Sequence, residues 1–512
     1  MNNGMPAGDN LWPLIIVCGV LLTFIVAGLI HKTRESSEYI FAGRYTGRIG
    51  GGAAIASNWM SAASFLGLAG LIYLYGYAAL AYVIGWTGGY VLLLVLLAGQ
   101  LRRFGKYTAP DFVGERYDSQ GARLISALIS ITISLIYSVA QFKGIGIVFA
   151  WLFNMDYSRG VILGAAVVVT YIVVSGMLGV SRNQQLQYFV LIVSFILPLM
   201  VMAYKFGYFW LLPQFGYGQA ITDLAREFGT DFATPFRHAS LFQWTALCFT
   251  LMVGTAGLPH VLARFYTVPN IRDGRWSVVW GLFFIALIYW SAPAYAVFGR
   301  LLEARRGLVT SPEAAHQVAD LVVLKTALLA GLPPWLVGVL AAGAVSAAFF
   351  TVAGLLMTGA ASISYDIYYR LLNQHASERR RMKVAKGATL ALAAIVLIIA
   401  LDPPGLIAEI TAVAFALAGN TIFPAFVLGI WWSRANRQGV IAGMLTGSLV
   451  TFAQPLFGKI LPVIGTIFPL TASALCGAPL VIIIMVLVSL ATQPPPAEMQ
   501  RFLAEEVHGQ MD

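Results

Sequence analysis

The chain has 512 residues, 59% of them apolar and only 11% Asp, Glu, Lys or Arg. Soluble proteins carry about 25% charged residues, so a string of soluble domains is excluded, and the 51 glycines fit helices packed closely in lipid. The longest hydrophilic stretches, 205–240 and 300–331, are too short to build a separate soluble core, so 1–512 reads as one all-α integral membrane domain.

About 20 apolar residues cross the hydrocarbon as a helix. Thirteen such stretches follow one another: 11–30, 50–76, 79–99, 124–153, 161–180, 186–208, 241–265, 277–299, 332–365, 387–401, 406–432, 439–456 and 468–492. The first is no cleaved signal peptide, because positions 1–10 hold no Lys or Arg and no small-residue cleavage site follows. With the N-terminus outside, alternate loops hold 22 of the 32 Lys and Arg on the cytoplasmic side and nine outside, and Lys143 alone falls within a span. The positive-inside rule therefore predicts thirteen crossings of the cell membrane, N-terminus outside and C-terminus cytoplasmic. The net charge of +10 is accordingly topogenic and does not mark a nucleic-acid partner. Cys18, Cys248 and Cys476 lie in apolar stretches without CxxC spacing, so neither a disulfide framework nor a zinc site is expected.

Small and polar residues interrupt two of these spans. The second runs Gly51-Gly52 through Ala56-Ser57-Asn58-Trp59-Met60-Ser61 to Ser64, and the seventh runs Gly254-Thr255-Ala256-Gly257-Leu258-Pro259-His260. A break releases carbonyls and amides that hydrocarbon cannot satisfy, so it persists where protein or ligand completes it. Breaks five spans apart cross the membrane in opposite senses, the mark of an inverted five-helix repeat. The halves are then 50–208 and 241–432, with an extra N-terminal helix at 11–30, two C-terminal helices at 439–492 and a cytoplasmic tail at 493–512.

The segments SNWMSAASFLGLAG (57–70), RRFGKYTAPDFVGERY (102–117), AQFKGIGIVF (140–149), GTAGLPHVLARFYTVP (254–269), SAPAYAVFG (291–299), GLLMTGAASISYDIYYR (354–370) and SRANRQGVIAGMLTG (433–447) carry a resemblance. In them the chain resembles the sodium/solute symporter family, and within it the acetate and short-monocarboxylate permease branch. The resemblance implies the leucine-transporter-like inverted repeat and secondary active transport, in which a cation gradient drives uptake of a small organic solute. It implies no cofactor and no enzymatic activity, and no phosphate-binding G-x-x-x-x-G-K-[ST] loop of a primary pump is present.

The family's sodium site implies carbonyl ligands at Ser57 and Met60, or at Ala56 and Trp59 in a shifted alignment. It adds the Ala347 carbonyl and positions Phe350 and Thr351, where relatives carry two hydroxyls. Hard oxygen ligands suit an alkali cation. Phe350 departs from that pattern, and Gln184 stands where sodium-coupled relatives carry Asp, which leaves proton as the alternative coupling ion. Ser346, one turn from Phe350, is a substitute hydroxyl. For the solute, a small organic anion, the resemblance points to Trp59, Ser61 and Ser64 at the first break, Gln141 and Lys143 on the fourth span, and Thr255 and Gly257 at the second break.

Lys143 costs about 2.5–3.5 kcal/mol in a span and so reads as functional, with a lysine snorkelling to the outer interface as the rival. His260 is either a packed, hydrogen-bonded histidine or a proton relay. Glu409 and Asp402 are expected near the outer surface, and Asp111 and Glu115 as partners of Arg102, Arg103 and Arg116. The resulting expectation is a symporter importing an acetate-like monocarboxylate by alternating access. A proline-like amino acid symporter and a transporter-like sensor acting with a separate signalling partner are the alternatives. An intramembrane hydrolase is disfavoured, since neither an Asp pair nor HExxH is visible.

Overall fold

The structure, a computed structural model, describes residues 11–30, 48–104, 108–236, 239–263, 271–308, 311–460 and 469–508. At 177, 178, 181, 182, 184, 185, 271–275, 456–460 and 506 it describes the backbone alone. Gln184's side chain and the topogenic Lys32, Arg34, Arg44, Lys106, Arg237 and Arg264 therefore lie outside the described residues.

In hydrocarbon every backbone donor and acceptor must be met within the protein, and helices do this locally. The described residues form α1 (Leu11–Ile30), α2 (Arg48–Trp59), a π turn Ala63–Gly67 that continues as α3 (Leu68–Tyr75), and α4 (Leu80–Leu96). Next come α5 (Ala109–Arg116), α6 (Gln120–Phe153), and α7 (Tyr157–Lys205), which is kinked at Gly176. After these come α8 (Leu241–Gly257), α9 (Pro259–Leu262), α10 (Ile271–Arg305) and α11 (Pro334–Ala361), the last extended by a π-helical stretch Ser362–Leu372. The remainder is α12 (Glu378–Ala400), α13 (Ile407–Asn420), α14 (Ile422–Trp431), α15 (Arg437–Ile460), α16 (Ala474–Ala491) and α17 (Ala497–Phe502).

Ten helices among the described residues are long and apolar enough to cross a membrane, so the chain is a multi-pass membrane protein. Thirteen crossings were expected, and the difference lies where helices bend or stop. The run Ala63–Leu96 joins the second half of the stretch 50–76 to the stretch 79–99, bending at Gly76, whose φ of 57° few side chains adopt. The seventh stretch is the shorter apolar helix α8, and the twelfth, 439–456 within α15, is not among the ten.

The helix pairing has the symmetry of an inverted repeat. α2 packs on α10 and α8 on α4, two contacts that exchange when the second to sixth spans are swapped for the seventh to eleventh. α6 packs on its own counterpart, α11. Outside the repeats, α1 lies along α7 and α11, where the Phe24 ring meets Phe350 edge-on at 4.8 Å.

At one end of the bundle the connecting helix α5 is fixed by a buried arginine. The Thr108 side chain caps α5 by accepting the Asp111 N–H at 3.0 Å, and Arg116 is only 1% exposed. Arg116 was expected to pair with Asp111 or Glu115. Instead its guanidinium donates to the carbonyls of Gly429 (2.5 Å), Trp432 (3.1 Å) and Ala435 (3.3 Å). These belong to the C-terminal end of α14, where unmet carbonyls and the helix dipole attract a cation. The carboxylates serve other arginines, Asp111 meeting Arg123 at 2.5 Å and Glu115 meeting Arg370 at 2.8 Å. Arg116→Met removes the donor to three carbonyls, of which that of Trp432 keeps the Ala435 N–H at 3.2 Å; at about 1–3 kcal/mol for each group left unmet, the detergent-solubilised protein should melt at a clearly lower temperature. Arg116→Lys, with a single charged nitrogen in place of the fork, should recover only part of the loss.

Candidate functional site

The first break begins where α2 runs out of continuous hydrogen bonding. Met60 N–H still reaches the Ala56 carbonyl at 2.8 Å, but a new turn starts at Ser61, whose carbonyl takes the N–H groups of Ser64 (3.0 Å) and Phe65 (2.9 Å). An unbroken helix would give Ala62 N–H to the Asn58 carbonyl. Here Ala62 N–H donates to Gln141 Oε1 on α6 at 2.8 Å, and the Asn58 carbonyl accepts the Thr351 hydroxyl from α11 at 3.4 Å. The two counterpart helices therefore each send one polar side chain to the break. Both Gln141 and Thr351 are fully buried.

Of the positions expected to hold a cation, Ala347 and Thr351 lie one turn apart on α11, which packs against α2 and the π turn. Thr351 touches the carbonyl between the two alternative alignments, that of Asn58. Ser57 Oγ is buried and has no hydrogen-bond partner among the described residues. Phe350 supplies no side-chain ligand, because its ring packs against Phe24, Phe349 and Tyr171, with centroids at 4.8, 5.3 and 6.3 Å. Ser346 is no substitute in this packing either, its hydroxyl folding back to the Ala342 carbonyl at 2.6 Å.

An aromatic wall stands beside the break. Trp59 Nε1 donates to the Tyr289 hydroxyl at 2.8 Å, and the Ser64 and Tyr289 hydroxyls are 3.0 Å apart. Trp86 stacks on Tyr289 at 5.7 Å, while Trp59 presents its edge to Tyr90 at 4.8 Å and Phe415 at 5.6 Å. Tyr137, whose hydroxyl bonds the Ser61 side chain, lies 5.8 Å from Phe415 and 5.6 Å from the buried His260 ring. Sequence reasoning missed Trp86, Tyr90, Tyr137, Tyr289 and Phe415. Only Tyr137 carried a signal, standing one helical turn before Gln141 and so on its face.

The second break is built for close packing. α8 ends at Gly257, Leu258 is extended (φ −71°, ψ 120°), and Pro259 opens α9. A Cβ at Gly254 would fall 2.4 Å from the Phe415 carbonyl, and one at Gly257 would fall 2.6 Å from that of Ala418. Gly257 therefore seats α8 against α13 instead of facing a solute. The Thr255 hydroxyl is likewise engaged, donating to the Leu251 carbonyl at 2.7 Å, with its side chain against Gly89 of α4.

Lys143, expected as a cation for the solute, is turned to the outer end. Its ammonium donates to Asp320 Oδ2 at 2.6 Å and to the Gly405 carbonyl at 2.7 Å, and is 13% exposed. Asp320 in turn accepts the Ile407 N–H that opens α13, at 3.3 Å. The charge of Lys143 is thus neutralised within the protein, on another side of α6 from Gln141. Glu409 caps the same helix start, accepting Leu406 N–H at 3.2 Å.

The profile of the sodium:solute symporter family matches residues 39–447. The chain belongs to that family. The symporter is 30% identical to an uncharacterized symporter of Cupriavidus necator, with 94% of this chain and 92% of that one covered. It is 32% identical to the uncharacterized symporter YwcA of Bacillus subtilis, over 85% and 83% of the two chains. Among solved structures, its fold matches that of a Na+-coupled sialic acid symporter in a substrate-bound outward-open state, with TM-score 0.75, 15% identity, and 95% and 99% of the chains covered. It also matches Mhp1, a nucleobase-cation-symport-1 family transporter, at TM-score 0.51 and 12% identity over 91% and 97% of the chains. The leucine-transporter-like fold is therefore that of a cation-coupled solute symporter, not of an enzyme.

In the symporter, Gln141→Leu leaves the Ala62 amide unpaired in a dry interior, at a cost of about 1–3 kcal/mol. Thermal melting of the solubilised variant should fall accordingly, while Gln141→Glu should recover part of the loss at acidic pH only, where a neutral carboxyl supplies the acceptor oxygen without burying a charge.

Proposed function

We propose that this symporter imports a short monocarboxylate of the acetate class together with sodium, by alternating access, with its N-terminus outside and its C-terminus in the cytoplasm across thirteen crossings. The observation that carries the reading is the meeting of Thr351 with the broken segment of α2 at Asn58. It sets a hydroxyl from one repeat against interrupted backbone of the other. Sodium is held by the carbonyls of Ser57, Met60 and Ala347 with the Thr351 hydroxyl, an all-oxygen set suited to a hard cation.

The carboxylate is received without a neighbouring lysine. Gln141 Nε2 is buried and has no partner among the described residues, so it is a donor available to an anion. Ser61 and Ser64 stand on either side of Ala62, whose N–H Gln141 Oε1 accepts, and the walls of Trp59, Trp86 and Tyr289 favour a small, flat solute. A buried donor left unpaired without solute gains a charge-assisted hydrogen bond with it. The sequence resemblance to the short-monocarboxylate branch supports the same class. Lys143 and Asp320 serve as an outer fastening, and His260 as a packed ring beside Tyr137.

Uptake of labelled acetate, pyruvate and proline into proteoliposomes, under sodium and proton gradients imposed separately, tests this. Acetate should accumulate with an inward sodium gradient. Thr351→Ala should lower that uptake at least tenfold at limiting sodium, and Thr351→Ser should restore it. Accumulation driven by the proton gradient alone would replace the coupling ion, accumulation of proline alone would replace the solute class, and saturable binding without accumulation would favour a sensor.

A further inference from the structure

Asp366 lies on the π-helical extension of α11, is fully buried, and has no part in the site above. One of its oxygens is served: the Thr108 hydroxyl donates to Oδ1 at 2.8 Å. The other, Oδ2, is buried with no hydrogen-bond partner among the described residues. The nearest guanidinium belongs to Arg123 of α6, which favours another carboxylate. Its Nη1 is 2.5 Å from Asp111 Oδ1 and 3.8 Å from Asp366 Oδ1.

Asp111 is equally buried and far better served. Besides Arg123 it has the Tyr365 hydroxyl at 3.3 Å and Arg370 at 3.9 Å. Arg370 itself closes on Glu115 at 2.8 Å. From the adjoining α12, Arg381 lies over the Tyr369 ring at 4.5 Å and pairs with Glu378 at 2.7 Å. The two buried carboxylates thus compete unequally: Asp111 has Arg123 and Arg370 within 4 Å, whereas Asp366 has Arg123 alone among the described residues, at 3.8 Å. Like charges so placed do not both stay ionised, and a buried carboxylate oxygen without a donor is costly. A proton on Asp366 Oδ2 removes both penalties at once.

An open cleft adjoins this cluster at Glu115, Arg123 and Arg370. Its volume is about 310 Å³, and Ser119, Met499 and Phe502 also line it. We infer that Asp366 is a proton-binding site, neutral in this packing with the proton on Oδ2, which exchanges that proton with cytoplasmic water through the cleft beside Arg123. On losing it, Asp366 becomes a rival to Asp111 for Arg123. Proton occupancy thereby sets how firmly the cytoplasmic end of α11 is tied to α5 and α6. This goes beyond the transport assignment and depends on neither the solute nor the coupling ion.

Infrared difference spectroscopy of the full-length protein in lipid, without solute or ion gradient, reads the proton directly. At neutral pH the wild type should show a protonated-carboxyl stretch that is missing in Asp366→Asn. Asp111→Asn, which takes away the carboxylate nearest Arg123 and leaves it Asp366 and Glu115, each at 3.8 Å, should lose the same band although Asp366 remains, an effect that a merely structural aspartate would not produce. Melting curves show whether each variant is folded. If Asp366→Asn does not fold, Asp366→Glu serves instead, and the band should move to a glutamic acid frequency. Identical spectra for the wild type and the Asp366 variant, or a band that survives in Asp111→Asn, would overturn the inference.

Discussion

The symporter depends on one local arrangement, the transfer of two hydrogen bonds at the break between α2 and the π turn. A continuous helix would have closed Ala62 N–H onto the Asn58 carbonyl. The protein separates these groups and gives each a side-chain partner, Gln141 from α6 and Thr351 from α11. In water such an exchange would be nearly neutral, because solvent meets any group left over. In hydrocarbon each orphaned group costs several kcal/mol, so the break exists only while both neighbouring helices hold their places. The same dependence makes it a suitable switch, since a ligand that replaces either partner acts on helix packing directly.

The second break solves a different problem. Gly254 and Gly257 bring α8 within backbone contact of α13, which carries Phe415 to the aromatic wall. Trp59, Trp86 and Tyr289 are buried beside it, and their polar atoms that pair do so with one another and with Ser64. The two breaks thus divide the work: one exposes backbone chemistry, and the other permits the approach that walls it in.

Charge is kept at the two ends of the bundle. Lys143 and Asp320 fasten α6 to the start of α13 at one end, whereas Arg116, Arg123 and Arg370 bind α5 to α14, α6 and α11 at the other. An ion pair between helices in a low dielectric is strong when made and expensive when broken. Such pairs suit fastenings at the rims more than a site that must release its ligand. The polar side chains of the middle, Gln141, Ser61, Ser64 and Thr351, are neutral, so no ion pair has to be broken there when helices move.

Composition and pattern alone determined the solvent, the membrane class and the two breaks, because twenty-residue apolar runs and mid-span Gly, Ser and Pro leave few alternatives. Gln141 and Thr351 were singled out through the family resemblance, and the structure sets both against the first break. The partner of each side chain was decided only by tertiary structure. Lys143 reads in sequence as an unpaired charge within a span, yet Asp320, 177 residues away, neutralises it. Arg116 sits beside acidic residues in sequence and bonds carbonyls more than 300 residues on. The aromatic wall escaped notice because Trp and Tyr are common in membrane helices, and only the helix rotations set by close packing decide which rings converge. Hydropathy is a property of each residue and its neighbours in the chain; a buried polar contact is a property of two distant segments and of the dry interior that makes them need each other.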